Sequence, residues 1–291
     1  MGTADSARLA ERPGKYRGRF APSPTGALHL GSLVAAVASY VDAAEHDGEW
    51  IVRMEDIDRP RCVAGADVEI LRILERFGLK WDLPVTYQSR RTELYRAALA
   101  QLQRADLVYP CTCSRRESGD GVYPGTCRTR AREPGKSVAW RVRTRDVVIS
   151  FEDRRMGHQQ QNLAREAGDF VVVRADGQFA YQLAVVVDDA EQRITDVVRG
   201  ADLLDCTPRQ IWLQRLLGYP QPRYMHIPVV TNEAGEKLSK QTKAPPLRPE
   251  NTEEDLIATI RFLGYDVNAA LRTIARRSRQ FGEDRNSPAS I

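Results

Sequence analysis

Apolar positions along the chain fall into two rhythms that alternate from the start. Residues 17–20 (RGRF) run into a turn rich in Pro and Gly, APSPTGALHLGS, and the following LVAAVASYVDAAEH is a run of Ala and small apolar residues that predicts a helix. Residues 50–54 (WIVRM) read as a buried strand ending in the acidic cluster Glu55, Asp56 and Asp58, and VEILRILERFGL has the helical period, closed by Gly78. Strand, loop, helix, strand and helix in this order predict an α/β protein with a Rossmann-like, doubly wound parallel sheet.

From about residue 106 the texture changes. Cys, Gly, Pro and Arg concentrate through residue 135, after which residues 140–143 and 147–151 read as short strands. Residues 106–168 are therefore expected to form an insertion that splits the sheet. The α/β pattern resumes in DFVVVRADG, FAYQLAVVVDDA and ITDVVRGADLL, followed by a helix over 208–217 and the strand-like MHIPVVTN. Farther on, Asn251 or Thr252 can cap a helix with Glu253, Glu254 and Asp255 in its first turn, and Leu256, Ile257, Ile260 and Leu263 share one face before Gly264. The expected organisation is a tail over 1–15, two halves of one sheet domain over 16–105 and 169–245, and a short helical C-terminal region over 246–291 with frayed final residues.

A chain of 291 residues with 42% hydrophobic content can bury at least one full core. Lys and Arg (43) exceed Asp and Glu (39) by only 4, which permits a nucleic-acid partner without identifying one. Residues 1–18 carry Arg8, Glu11, Arg12, Lys15 and Arg17 with no apolar run, and no stretch reaches the roughly 18 apolar residues needed to span a membrane. The expectation is a soluble cytoplasmic protein. Five cysteines are too few for a disulfide scaffold, and the crowding of three of them into positions 111–127 points to metal. Cys62 and Cys206 stand alone and read as small apolar packing residues.

Two segments carry candidate phosphate chemistry. His29, Gly31 and Ser32 sit where the first helix starts, and there unpaired N–H groups and the helix dipole favour an anion. Gly31 lets a flat adenine or ribose approach the backbone, and His29 could donate to a phosphate oxygen. In the second half, KLSKQ places Lys237 and Lys240 on one loop, where both ammonium groups can reach the same polyphosphate and stabilise charge gathering at an α-phosphorus. Taken singly, a histidine at a helix start is more often a cap, and a lysine pair more often a solvated loop. Cys111, Cys113 and Cys127, with Tyr123 between them, put three thiols and a phenol in one loop. Zinc takes four ligands in a tetrahedron, and the residues alone leave the fourth position to water, His158 or Tyr123.

Together, HLGS and KLSKQ resemble the HIGH-type and KMSKS-type motifs of the class I aminoacyl-tRNA synthetases. RFAPSPTGALHLGS and RMEDIDRPR are similar to the glutamyl and glutaminyl branch, and the resemblance covers about residues 16–245. The chain departs from the pattern at Ser32, in place of the last His, and at Gln241, in place of the last Ser. The resemblance implies ATP as substrate, accompanied by Mg2+, at His29, Gly31, Ser32 and Lys240, with His29, Lys237 and Lys240 as the catalytic groups. It also implies a glutamate pocket of Arg19, Phe20, Ala21, Pro22, Ser23, Glu55, Tyr181 and Arg199. There a guanidinium grips a carboxylate through two parallel hydrogen bonds, which favours glutamate over glutamine, while Glu55 takes the ammonium. Asp56 and Asp58 are expected instead to pair locally with Arg59 and Arg61. The cysteine spacing is similar to that of short paralogues of the glutamyl-tRNA synthetase catalytic domain, which attach glutamate to the queuosine of tRNA(Asp). In these a tyrosine is the fourth ligand, implying one structural zinc on Cys111, Cys113, Tyr123 and Cys127.

Residues 242–291 suffice for a few helices but not for the large anticodon-reading region of a full glutamyl-tRNA synthetase. The expected enzyme is therefore a monomer that takes ATP, L-glutamate and tRNA(Asp) and needs no tRNA for the activation step. Two alternatives stand beside it: a truncated enzyme charging tRNA(Glu), and a catalytically silent RNA- or nucleotide-binding module. The expected RNA surface comprises Arg115, Arg116, Arg128, Arg130 and Arg132 on the insertion, with Arg272, Arg276, Arg277 and Arg279 near the C-terminus.

Overall fold

A computed structural model of the protein describes residues 14–119, 121–130, 134–231, 238 and 245–284. These divide into two compact units, one drawn from residues 14–88, 194–202 and 224–284, the other from 89–193 and 203–223.

The first unit opens with β1 (Arg17–Phe20), α1 (Leu30–Glu45), β2 (Glu49–Met54), α2 (Ala66–Arg76) and β3 (Thr86–Tyr87). β2 lies between β1 and β3 and is parallel to both, with Arg19 opposite Ile51 and Phe20 opposite Val52. The parallel arrangement explains the sequence pattern. β2 is covered on both faces, so five of its six residues are buried and they form a continuous run instead of alternating. α1 is built from Ala, Val and Ser because it is buried on nearly every side, whereas α2 buries only its first residue, Ala66, and the stripe Ile70, Ile73 and Leu74. Trp50 anchors this core with its ring 5.0 Å from that of Tyr40 in an edge-on contact, and its indole N–H donates to Ser39 Oγ at 2.9 Å.

The second unit follows with α3 (Thr92–Arg104), β4 (Val108–Cys111), the single turn α4 (Arg115–Ser118), β5 (Ala139–Val142), β6 (Val148–Asp153), β7 (Gly157–Asn162), β8 (Val171–Val173) and α5 (Tyr181–Glu191). β4, β5 and β8 form an antiparallel sheet, and β6 and β7 a hairpin. The wholly buried Asp188 on α5 accepts from Arg91 Nε at 2.6 Å and from Tyr95 Oη on α3 at 2.8 Å, so the buried charge is both paired and hydrogen-bonded.

The chain then returns to the first unit for β9 (Asp196–Gly200), leaves it for α6 (Thr207–Leu217), and returns again for β10 (Arg223–Ile227), α7 (Thr252–Leu263) and α8 (Val267–Asp284). β9 and β10 are hydrogen-bonded neighbours, and the Thr195 amide leading into β9 donates to Arg17 O at 3.0 Å. Leu256, Ile260 and Leu263 of α7, with Ala270 and Ile274 of α8, join the same core as α1 and β2. The helix begins where expected, with Asn251 at the N-cap position but no side-chain capping hydrogen bond, the Thr252 hydroxyl donating instead to Pro249 O at 2.8 Å; the closing Gly264 is present with a left-handed φ of 76°. Among the described residues no helix is long and apolar enough to cross a membrane.

Arg277, expected on a surface open to RNA, is instead only 7% exposed. Its Nη1 donates to Gly48 O at 2.8 Å and its Nη2 to Asp82 at 2.5 Å, and the guanidinium lies 5.3 Å from the Tyr40 ring. It sits on the inward face of α8, while Arg272, Arg276 and Arg279 occupy the exposed one. Arg277→Ala is expected to lower stability by about 2–3 kcal/mol. Urea denaturation will read this as an earlier midpoint, whereas Arg276→Ala should change stability by less than about 0.5 kcal/mol.

Candidate active site and metal centre

Because β1 and β2 are parallel and in register, their carboxyl ends finish side by side, the place where open parallel sheets bind ligands. Arg19 and Phe20 end β1 and are 3% and 7% exposed. Ala21 is half-buried, Pro22 buried and Ser23 exposed in the loop that follows, and Glu55 is the first residue after β2. One backbone hydrogen bond joins the two loops, from Glu55 N to Pro22 O at 2.9 Å, and a second runs from Val63 N to Pro24 O at 2.9 Å. The segments that carry Arg19 and Glu55 are thereby held together by main chain. Asp58 pairs with Arg61 at 2.8 Å, as expected for the local acidic cluster. Arg199, 5% exposed, stands on β9 of the same unit, and Tyr181 opens α5 of the other.

His29 is the N-cap of α1. Its Nδ1 accepts from the Ser32 amide at 3.3 Å, so the ring proton lies on Nε2, which is 3.2 Å from Ser32 Oγ. Ser32, the departure from the expected motif, is thus a direct partner of His29. Gly31 is required for close approach. A Cβ there would lie 3.2 Å from two atoms of the His29 ring and 3.4 Å from the carbonyl oxygen of Leu238. Leu238 belongs to KLSKQ, and its amide donates to Val230 O at 2.8 Å. Downstream, Pro246 pairs with His29 and the Leu247 amide donates to Leu28 O at 3.0 Å. The two phosphate motifs, distant in sequence, are brought together at Gly31 and Leu238. Lys237, Lys240 and Gln241 lie outside the described residues.

The three cysteine sulfurs lie within 4.8 Å of one another. The Tyr123 hydroxyl is 3.4 Å from Cys111 Sγ and 3.3 Å from Cys113 Sγ, and Cys113 and Cys127 are 3.3 Å apart. A tetrahedron with metal–sulfur bonds of about 2.3 Å has edges of about 3.8 Å, so these four donors fit one metal ion with little movement. His158 is elsewhere, exposed on β7 with its Nδ1 2.6 Å from Glu152. Burial pushes the Cys113 thiol up to about 11. Burial also acts to raise Cys127, but hydrogen bonds from Tyr123, the Thr112 backbone and the neighbouring thiols outweigh it and bring Cys127 down to about 7. The Tyr123 phenol is raised, first by burial and then by the thiols around it. Arg141 donates from Nε to Cys111 Sγ at 3.3 Å and lies 3.8 Å above the Tyr123 ring. Gly168, at φ 63°, pairs with Tyr123, and a Cβ there would meet the Tyr123 amide nitrogen at 2.8 Å.

This cluster rests on Asp169. Its carboxylate accepts from Arg128, from Tyr109 Oη at 2.5 Å, and from the Thr144 amide and hydroxyl at 2.8 and 2.9 Å. Arg128, expected on an RNA-binding surface, is exposed, with 40% of its side chain accessible, and its guanidinium is at the same time engaged by the buried Asp169. Arg130 lies 3.7 Å from Glu117, Arg116 is exposed, and Arg132 and the side chain of Arg115 lie outside the described residues. Burial acts to raise the Asp169 carboxyl, but the donors from Arg128, Tyr109 and Thr144 hold it below the ordinary carboxylate value. A depressed carboxyl stabilises the fold fully above its unfolded value, near pH 4, and loses that contribution as pH falls through the lower folded value. Thermal melts of wild type and Asp169→Asn should therefore differ most at neutral pH and converge in strong acid.

The family model "tRNA synthetases class I (E and Q), catalytic domain" matches residues 15–118 and 127–281. A Glutamyl-Q tRNA(Asp) synthetase of Dechloromonas aromatica (strain RCB) is 56% identical over 266 residues, covering 88% of both chains. One from Neisseria meningitidis serogroup B is 54% identical over 259 residues, covering 85% of this chain and 88% of its own. Among solved structures, a glutamate tRNA ligase from Elizabethkingia meningosepticum in complex with its amino acid superposes with a TM-score of 0.70 at 28% identity. That match covers 78% of this chain and 52% of the ligase, so the chain spans about half the length of that enzyme. With its parallel sheet, its His29 cap and the Leu238 loop brought up to Gly31, the chain belongs to the class I tRNA synthetase family of the glutamyl and glutaminyl enzymes.

Proposed function

We propose that the chain joins L-glutamate to ATP as glutamyl-adenylate and transfers the glutamyl group to the queuosine of tRNA(Asp), acting in the cytoplasm. The observation that carries this reading is the placement of Arg19 and Glu55 at the carboxyl ends of adjoining strands, whose loops are held together by the hydrogen bond from Glu55 N to Pro22 O. It provides opposite charges for the carboxylate and ammonium of one amino acid. The relatives that match over 85–88% of this chain, and bear the name Glutamyl-Q tRNA(Asp) synthetase, supply the acceptor.

In this reading Arg19 and Arg199 grip carboxylate, Glu55 receives the ammonium, and Tyr181 with residues 20–23 shapes the pocket. A glutamate carboxylate oxygen attacks the α-phosphorus of ATP. The new O–P bond replaces the one to pyrophosphate, which leaves with its negative charge. His29 can donate its Nε2 proton to a phosphate oxygen, and Lys237 and Lys240 meet the charge that accumulates. Gly31 and Ser32 line the nucleotide side, and Mg2+ accompanies the phosphates. In the second step a hydroxyl oxygen of the queuosine diol attacks the adenylate carbonyl carbon, the ester forms, and AMP departs while the hydroxyl proton passes to solvent. Among the described residues, Arg116, Arg128, Arg130, Arg272, Arg276 and Arg279 are exposed cations that in this reading meet RNA phosphates, contacts that position RNA without reading its sequence.

Cys111, Cys113, Tyr123 and Cys127 would hold one zinc with a structural task. Three thiolates and a phenolate around a divalent ion leave a net negative charge, and Arg141 stands against both Cys111 and Tyr123 to offset it. Protein purified without chelator should contain about one zinc per chain. Cys113→Ser should lose or weaken the metal, and Tyr123→Phe should do so more mildly, since three thiolates remain. Elemental analysis that finds no metal would overturn the assignment.

The acceptor is tested with labelled glutamate and ATP offered with queuosine-bearing tRNA(Asp), unmodified tRNA(Asp) and tRNA(Glu). ATP–pyrophosphate exchange should run with glutamate alone. Transfer should occur only to the queuosine-bearing RNA and should survive periodate oxidation confined to the terminal diol. Comparable charging of tRNA(Glu), or exchange that depends on added tRNA, would favour an ordinary charging enzyme instead.

A further inference from the structure

Arg199 on β9 donates its Nε–H to Nε2 of His226 on the neighbouring strand β10, across 3.0 Å. Both residues are inside the first unit, Arg199 5% exposed and His226 fully buried. Two residues back along β10, Tyr224 completes the arrangement. Its ring lies 5.6 Å from the Arg199 guanidinium and stacks on the His226 imidazole with centroids 6.1 Å apart.

An imidazole nitrogen accepts a hydrogen bond only while it carries no proton, so His226 is neutral here, with its proton on Nδ1. The guanidinium is a rigid plane, and fixing one edge at Nε fixes the direction in which the two Nη nitrogens point. The identity of the acceptor matters. A carboxylate in the same place would orient Arg199 equally well, but it would cancel the charge that a substrate carboxylate must meet. A neutral imidazole orients the guanidinium without cancelling its charge. Pre-setting a long side chain also removes part of the ordering cost that binding would otherwise carry.

We infer that His226 is a positioning residue for glutamate: it acts through Arg199, whose guanidinium it holds in the direction needed to receive a carboxylate of the amino acid. The inference rests on the reading of Arg199 as a substrate grip. It assigns to the strand-like MHIPVV segment a task in amino acid selection beyond that of filling a sheet.

The test uses four variants of the full chain, three single and one double, in glutamate-dependent ATP–pyrophosphate exchange. His226→Met removes the acceptor while keeping bulk, and His226→Gln places an amide oxygen near the former position of Nε2. Loss of one hydrogen bond to a charged group predicts a rise of about 10-fold or more in the KM for glutamate in His226→Met, with kcat and the KM for ATP within about 3-fold of wild type. His226→Gln should recover a glutamate KM within about 3-fold of wild type. Arg199→Ala should raise the same KM at least as far, and adding His226→Met to it should change nothing further. An unchanged glutamate KM in Arg199→Ala would overturn both the grip and this inference. A raised KM in Arg199→Ala beside a normal one in His226→Met would overturn the inference alone. Equal losses in kcat and both KM values, with a lower melting temperature and no recovery in His226→Gln, would make His226 a packing residue and also overturn it.

Discussion

The parallel register of β1 on β2 is the constraint from which the site follows. Parallel strands end at the same edge, and with Phe20 opposite Val52 the two chains leave the sheet almost level. Their loops must then satisfy main-chain groups that the sheet no longer pairs, and the bond from Glu55 N to Pro22 O does this. Arg19, the penultimate residue of β1, and Glu55, the first beyond β2, are thereby carried on segments that leave the same edge of the sheet. No side-chain contact between them is needed to set their spacing. The same logic governs the next turn of chain, where His29 caps α1 with its own ring and Gly31 leaves room for Leu238.

The cysteine cluster is organised from the opposite direction, by charge in the interior. Asp169 collects donors from Arg128, Tyr109 and Thr144, and Gly168, the bridge partner of Tyr123, is its immediate neighbour in sequence. A buried carboxylate satisfied from several elements fixes them relative to one another, because releasing any one donor leaves charge inadequately solvated. The segments that carry the three thiols are therefore fixed by contacts outside the cluster itself.

Much of this was legible in the sequence because it follows periodicity or motif. The continuous apolar run of β2, the Ala-rich α1, the face of α7 and its closing Gly264 each have a local signature, and the structure carries them as read. The convergence of Cys111, Cys113 and Cys127 could be anticipated from their crowding, and Tyr123 was distinguished from His158 only by resemblance. What escaped were residues whose meaning depends on distant partners. Arg128 and Arg277 look like surface cations in a basic stretch, and only the fold reveals Asp169, Asp82 and Gly48 beside them. His226 was hidden in the same way, as one polar residue in an apolar strand. The available clue was a titratable side chain set between Met225 and Ile227 in an otherwise apolar run.

The first unit is assembled from three separated stretches of chain, and Arg277 reaches back to Gly48 and Asp82 to close it. Synthesis proceeds from the N-terminus, so the β1–α1–β2 segment leaves the ribosome long before the helices that complete its core. The intervening residues 89–193, by contrast, supply nearly all of the second unit in one continuous piece. Contacts spanning such distances are slow to form because loop closure precedes the stabilisation they bring. The first unit is thus the later-completed part of a nascent chain, and the apolar surface of α1 and β2 that α7 and α8 cover is the last of its core to close.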